Sequence, residues 1–407
     1  MRDVYIFDAV RTPRGKGRAP KNGKPGGALS SVAPHDLVAG LTDALHARNK
    51  NIDGHISQLT LGCVGQVGAQ GGHIALVSRL AADLPDTTPV LSLNNYCVSG
   101  LTAINQSAAW AQSKPDALIM AGGVECLSQV GFLADKASYY SNPSVVKQLK
   151  WVPPVLGAEL IASLDGFTKA DLDEITLMSH HRAAKAWENG HYDKSVVAVK
   201  KDGEVLLEKD ELIRGNMTIE QLESMPPAFA EQGAAGFDAV MLAEYPELDE
   251  ISYIHSFANC PGMVDGAALV LLGGDNAGEK AGLTPKAKII AFAETTGDPI
   301  LQFGAGFTAI DQVMKDTGLT IADFDRIECM EAFAATPLKF YRDYKPDMDT
   351  VNVNGGHLAM GHPMGATGAI LLTSLVHELE RCDGKFGLVV AFAGGGIGSA
   401  TIIERVG

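Results

Sequence analysis

Two apolar stretches far apart in this chain follow one pattern. Leu118-Ile119-Met120-Ala121-Gly122-Gly123 is a strand-like run that closes on glycines, and Leu388-Val389-Val390-Ala391-Phe392-Ala393-Gly394-Gly395-Gly396 repeats it near the end. A second pair accompanies them. Val90-Leu91-Ser92-Leu93, a polar turn and a helix-period segment from Leu101 are echoed by the small-residue loop Asn352 to Gly368 and a helix carrying Leu371, Leu375 and Leu379. Strand period giving way to helix period marks layered α/β units. Repetition of the set implies two halves of one topology, with their two loops on a shared face.

Between the repeats, Val4 to Val10, Leu59 to Val64 and Lys288 to Ala293 read as further strands. Pro34 to Asn49, Gly72 to Asp83 and Ala305 to Thr317 read as helices, and Gly15 to Gly27 as an exposed loop. From Val124 to Tyr253 the alternation breaks; aromatic, proline and charged residues mix around a helix at Thr168 to Asn189, the character of an insertion. The expected organisation is a first half at 1–123 and 254–274, an inserted loop domain at 124–253 and a second half at 275–407.

The net charge of −15 argues against nucleic acid and membrane surfaces as partners, without excluding a small anionic ligand. Six cysteines without CxxC or zinc-type spacing point to reduced thiols, a cytoplasmic setting and no metal. The opening MRDVYIFDAVRTPRG has charges where a leader needs an apolar core, and no run reaches the ~18 apolar residues of a membrane span.

Cys97 lies where the Val90–Leu93 strand gives way to the helix, in Asn94-Asn95-Tyr96-Cys97-Val98-Ser99-Gly100. Unpaired backbone N–H groups and the positive end of a helix dipole converge there and are expected to lower the thiol pKa. A buried, inert cysteine fits the same position. In the second loop His362, between Gly361 and Pro363, has little crowding and a restricted backbone. Such a ring suits proton transfer or oxyanion binding, and equally a structural hydrogen bond. His357 and Asn354 share the loop. Gly394-Gly395-Gly396 suits a hairpin turn, or bare N–H groups beside a reactive sulfur.

Taken together, DAVRTPRG, NNYCVSGL, AGGVE, NCPGMVDGAA, MEAFAA, NVNGGHLAMGHPMGATGA and GGGIG, in that order nearly end to end, resemble the thiolase family of acyl-CoA C-acyltransferases. The resemblance implies two similar halves packed as α-β-α-β-α layers plus an inserted loop domain. It implies a homodimer or homotetramer and coenzyme A thioesters as substrates, with no tightly bound cofactor. The residue matching Cys97 would form an acyl-enzyme, the residue matching His362 would activate the thiol and help bind one oxyanion, and N–H groups of Cys97 and Gly394 would bind the other. The inserted region would carry most coenzyme A contacts, at residues the match does not identify.

Two departures accompany the resemblance. Met330 precedes Glu331-Ala332-Phe333 where the family carries Asn or His, and a thioether cannot hold the oxyanion-hole water in the same way. Phe392 stands where the family's second cysteine moves a proton at the α-carbon, a loss of ~10²–10⁴ in rate unless another group substitutes. Cys126, Cys329 and His357 are the candidates for that substitution. Altered chemistry such as thioester hydrolysis, or a non-catalytic acyl-CoA-binding subunit, are the alternatives.

Overall fold

The computed structural model describes residues 2–407 apart from 51, 53 and 275, so residue 275, where the second half is expected to start, lies outside the described residues. The main strands are β1 (Val4–Arg11), β2 (Ile56–Gly62), β3 (Val90–Leu93), β4 (Leu118–Cys126), β5 (Val264–Gly274), β6 (Ala287–Thr296), β7 (Arg326–Cys329), β8 (Phe386–Ala393) and β9 (Ile397–Arg405). The helices that matter here are α1 (Pro34–Arg48), α2 (Ser99–Ser113), α3 (Pro154–Asp165), α4 (Lys169–Glu188), α5 (Ala305–Thr317) and α6 (Thr367–Cys382).

The strands follow the order β3-β2-β4-β5-β1-β6-β9-β8-β7. Read outward from the middle, β1-β5-β4-β2 pair antiparallel, antiparallel, parallel. The other half, β6-β9-β8-β7, pairs in the same sequence of senses. Beyond β2 the edge strand β3 adds a parallel pairing. At the equivalent place beyond β7, Val351 makes a single parallel bridge to Ile327. The halves join where Tyr5 and Ile6 pair with Lys288 and Ala287.

Helices α2 and α6 pack on each other and on strands of both halves, which makes them the middle layer. Their composition allows it: α2 buries Gly100, Leu101, Ala103, Ile104, Asn105 and Ala108, and α6 is buried along most of its length. A helix that is small or apolar on nearly every face belongs in an interior. By contrast α1, opened by Pro34 at its first turn, buries one stripe, Leu37, Val38, Leu41 and Leu45, against the outer face of the first half. Helix α5 covers the outer face of the second half. The expected α-β-α-β-α layering is therefore present.

Residues 124–253 are more helical than the sequence suggested, with α3, α4 and a small hairpin of Val199–Lys201 with Glu204–Leu207. Their own apolar cluster gathers Val152, Leu156, Leu160, Met241 and Ile251 with Ile300. The expected helix at Gly72 to Asp83 is shorter, Ile74–Ala81, because His73 turns left-handed (φ 69°) and caps it through its ring. Gly15 and Lys16, within the expected exposed loop, instead pair with Asp265 and Val264. Among the described residues no helix is long and apolar enough to cross a membrane.

A buried polar cluster pins the middle layer to the second half-sheet. Asn105 of α2 donates to Glu294 at 2.8 Å and to Ser399 at 3.1 Å, and accepts from Thr401 at 2.7 Å. Asn105→Ala would leave the buried Thr401 hydroxyl without its acceptor, while Glu294 keeps Thr102 and Ser399 as donors, so a loss of about 1–3 kcal/mol in unfolding free energy is expected by denaturant titration.

Candidate active site

The nucleophile candidate is placed by a short chain of local bonds. After β3, Tyr96 is forced left-handed (φ 49°), and its N–H donates to Asn94 Oδ1 at 2.9 Å. The Ser99 hydroxyl donates back to the Tyr96 carbonyl at 2.6 Å, and Asn95 N–H donates to that hydroxyl at 2.8 Å. This knot turns the chain from strand to helix and presents Cys97 at the junction. Gly100 opens α2 where a Cβ would come within 2.8 Å of the Gly365 carbonyl, so only glycine lets the two catalytic loops touch.

The sulfur is not acidified as the junction suggested. Burial pushes the Cys97 thiol up to about 12, and Glu125 adds to the rise. The backbone N–H groups of Gly394 and Cys97 oppose that rise. Helix-end effects are worth a fraction of a kcal/mol to ~2 kcal/mol, whereas complete desolvation of a charge costs more. The thiol is thus held in its protonated form and requires a base.

His362 lines the same cavity as that thiol. Its Nδ1 lies 2.6 Å from the Thr367 hydroxyl, a partner that can either donate or accept. Its N–H donates to the Gly262 carbonyl at 2.8 Å. Burial first, then Arg14, lowers the imidazole to about 3, so the ring is neutral at physiological pH. Thr367 opens α6 in the same loop, and its spacing from His362 is the signal that would have flagged it.

Cys97, His362, Gly394 and Met330 line one cavity of about 400 Å³ with Phe333 and Phe303. Cys97 and Gly394 also line a narrower slot of about 60 Å³ walled by Tyr96, Phe132, Tyr140 and Trp151. The glycine turn between β8 and β9 is held by Gln302, whose Oε1 accepts from Gly395 N–H at 2.6 Å. The turn closes the hairpin, and the Gly394 backbone N–H is one of the influences on the Cys97 thiol.

Other residues singled out from the sequence lie elsewhere. Phe392 is wholly buried against Phe307, at 4.9 Å between ring centroids, and its N–H donates to Met330 Sδ at 3.3 Å. Cys126 is in the core between α1 and the first half-sheet, and Cys329 is in the core of the second half. Neither lines the cavity, and burial holds both thiols protonated, so neither replaces the missing proton shuttle. His357, fully buried with its ring 5.8 Å from that of His362, has no hydrogen-bond partner at either nitrogen and does not line the cavity either. Asn354 faces His191 and Glu378, at 2.8 Å each. Glu331 is a brace, accepting from Ser179 at 2.7 Å and Leu358 N–H at 2.9 Å.

The cavity continues outward past the NCPGM segment of the NCPGMVDGAA motif and Phe257. Cys260, Gly262, Phe257 and Met263 line both it and an adjoining groove, and Phe257 and Met263 are exposed at its mouth. That groove carries Lys16, Arg18 and Arg214, a local concentration of positive charge on an acidic chain.

Residues 4–237 match the family described as "Thiolase, N-terminal domain", and residues 283–405 match "Thiolase, C-terminal domain". The "3-oxoadipyl-CoA/3-oxo-5,6-dehydrosuberyl-CoA thiolase" of Escherichia coli K12 is 32% identical over 429 aligned positions covering all of both chains. An "Acetyl-CoA acetyltransferase" of Synechocystis is 31% identical, again over the full length of both. The crystal structure of human mitochondrial 3-ketoacyl-CoA thiolase in complex with CoA superposes with a TM-score of 0.84 at 27% identity, covering 100% of this chain and 98% of that one.

Alkylation tests the arrangement without any substrate. At pH 8, iodoacetamide is expected to label Cys97 and spare Cys126 and Cys329 in the native protein, as read by peptide mass mapping. His362→Ala should slow labelling of Cys97 at least ~10-fold, since the imidazole is the base nearest to hand.

Proposed function

The chain belongs to the thiolase family, and on that premise we propose that it transfers acyl groups between carbon and coenzyme A through a Cys97 acyl-enzyme. The observation that carries this reading is the single cavity shared by Cys97, His362 and Gly394. His362 takes the thiol proton, and the sulfur attacks the 3-oxo carbon of a 3-oxoacyl-CoA. The N–H groups of Cys97 and Gly394 stabilise the oxyanion. Collapse breaks the bond between the α-carbon and the 3-oxo carbon, and acetyl-CoA leaves as its enolate.

In most thiolases a second cysteine would protonate that enolate; Phe392 cannot. We propose that His362 returns the proton it took from Cys97 to the departing α-carbon, so that one imidazole serves both steps. In the second half-reaction His362 accepts the coenzyme A thiol proton, the new thiolate attacks the acyl-enzyme, and Cys97 leaves and is reprotonated. Every proton is accounted for without a further residue. Thr367, able to give or take a hydrogen bond, suits an imidazole that alternates between the two roles.

The pantetheine arm would lie along the apolar cavity past Phe333, with the coenzyme A phosphates in the groove of Lys16, Arg18 and Arg214. The acyl group would occupy the aromatic-walled slot on the other side of Cys97, which favours apolar chains. A homo-oligomer is supported by the edge position of β3 and its exposed Leu91.

Incubated with a 3-oxoacyl-CoA alone, the protein is expected to release about one equivalent of acetyl-CoA and carry the shortened acyl group on Cys97 by mass spectrometry. Turnover should then resume only when coenzyme A is added. A normal acyl adduct in Cys97→Ser would remove Cys97 from this role, and continued release of free acid without coenzyme A would replace this reading with hydrolysis. Arg18→Glu with Arg214→Glu is expected to raise KM for coenzyme A and for the 3-oxoacyl-CoA alike, ~10-fold or more, with Cys97 still acylated at saturating thioester.

A further inference from the structure

Arg14 is a wholly buried guanidinium with no place in the chemistry above. It follows β1, and its Nη1 donates to the carbonyl of Gly361 at 2.9 Å. That carbonyl and the N–H of His362 belong to one peptide group, whose other end is held by the Gly262 carbonyl at 2.8 Å. The peptide carrying the imidazole is therefore clamped at both ends. Gly361 itself is left-handed (φ 87°), and a Cβ there would come within 2.3 Å of Val264, so the backbone has no alternative path.

The charge on Arg14 is poorly matched. Its backbone N–H donates to Asp210 Oδ1 at 2.8 Å, but that carboxylate is already held by Arg11 through two bonds of 2.8 and 2.9 Å, and by Trp187 at 3.1 Å. Two buried guanidiniums thus share one ionised carboxylate, and the Arg14 Nε has no partner. Keeping a buried cation without a carboxylate of its own is costly, which argues for a use.

We propose that Arg14 is the positioning residue of the catalytic loop, fixing the Gly361–His362 peptide and supplying a positive charge behind the imidazole. The positioning role stands on geometry; the consequence for rate rests on the acyl-transfer reading. The charged and titratable groups gathered around the loop are Arg11, Arg14, Asp210, Glu328, Tyr192, His357, Glu125, Glu331 and Cys97. Burial raises the Glu125, Glu331 and Glu328 carboxyls and keeps His357 uncharged, while Asp210 is held ionised chiefly by Arg11. Repulsion from Arg14 adds to burial in lowering the His362 imidazole, so the ring, once protonated, gives its proton up readily to the departing α-carbon.

Removing the charge lets His362 protonate at a higher pH, by about one unit for a cation in a partly polar interior. The test compares wild type, Arg14→Met, which keeps the bulk, and Arg14→Lys, which keeps the charge. Three readouts are used: circular dichroism for folding, ¹³C-histidine spectra between pH 4 and 8 assigned with His362→Asn, and steady-state kinetics. In Arg14→Met, the His362 signal is expected to move toward its protonated position at the acid end, with kcat down ~10–100-fold and KM within about threefold, because Arg14 does not line the cavity. Arg14→Lys should leave the histidine signal as in wild type and recover at least ~10-fold of the lost kcat. An unchanged histidine titration in Arg14→Met, or equal losses in both variants, would overturn the proposal. The spectra need no substrate, so wild-type protein lacking acyl transfer would defeat the functional reading and leave this one standing or falling by itself. If Arg14→Met does not fold, Arg14→Lys with a wild-type titration and kcat recovered to within tenfold supports the proposal, and a shifted titration overturns it.

Discussion

The contact between the two catalytic loops in the middle of the molecule sets the terms for everything else. Glu125, at the end of β4, accepts from Val64 and Gly65 of its own half and from Gly365 of the other, at 2.9 to 3.0 Å. Gly100, at the start of α2, touches the same Gly365. Without a Cβ on either glycine the two loops close to backbone distance, which places Cys97 and His362 in one cavity. The rest of each half, strands, outer helices and insertion, holds these two helix starts in register.

That closeness brings a chemical consequence. An interior tight enough to unite the loops also takes the Cys97 thiol and the His362 imidazole largely out of water, and burial is then the leading influence on both. It raises the Cys97 thiol and lowers the His362 imidazole, so the resting pair is a neutral thiol and a neutral ring. Such a pair is poised rather than pre-ionised. Proton transfer waits for a substrate whose oxyanion the Cys97 and Gly394 N–H groups can receive, which couples activation to binding.

The substitution of Phe392 for the family's second cysteine is absorbed by packing. Its ring fills space beside Phe307 and against Gly306, where a Cβ would come within 2.2 Å of it. Met330 accepts the Phe392 N–H through sulfur while lining the cavity. The two departures from the family pattern are thus neighbours in space, and together they make this part of the site less polar. The chemistry left to the site is what Cys97, His362 and two backbone N–H groups can perform.

Cys97, His362 and the glycine turn were legible in the sequence because each sits at a change of period or in a run of small residues, and a strand–loop–helix repeat puts such places on one face. The layered fold was legible for the same reason. Arg14, Thr367, Gln302 and the Lys16–Arg18–Arg214 groove were not, since none differs locally from an ordinary surface or loop residue. For Cys126 and Cys329 the sequence offered only adjacency to a site motif, which says nothing about which face a side chain takes, since successive residues along a strand alternate; packing puts both in the core. Local pattern determined which loops carry the chemistry. The direction of the thiol's shift, the clamp on the His362 peptide and the path open to a ligand were decided only by tertiary structure, because burial and long-range contact are properties of the packed chain and not of any stretch of it.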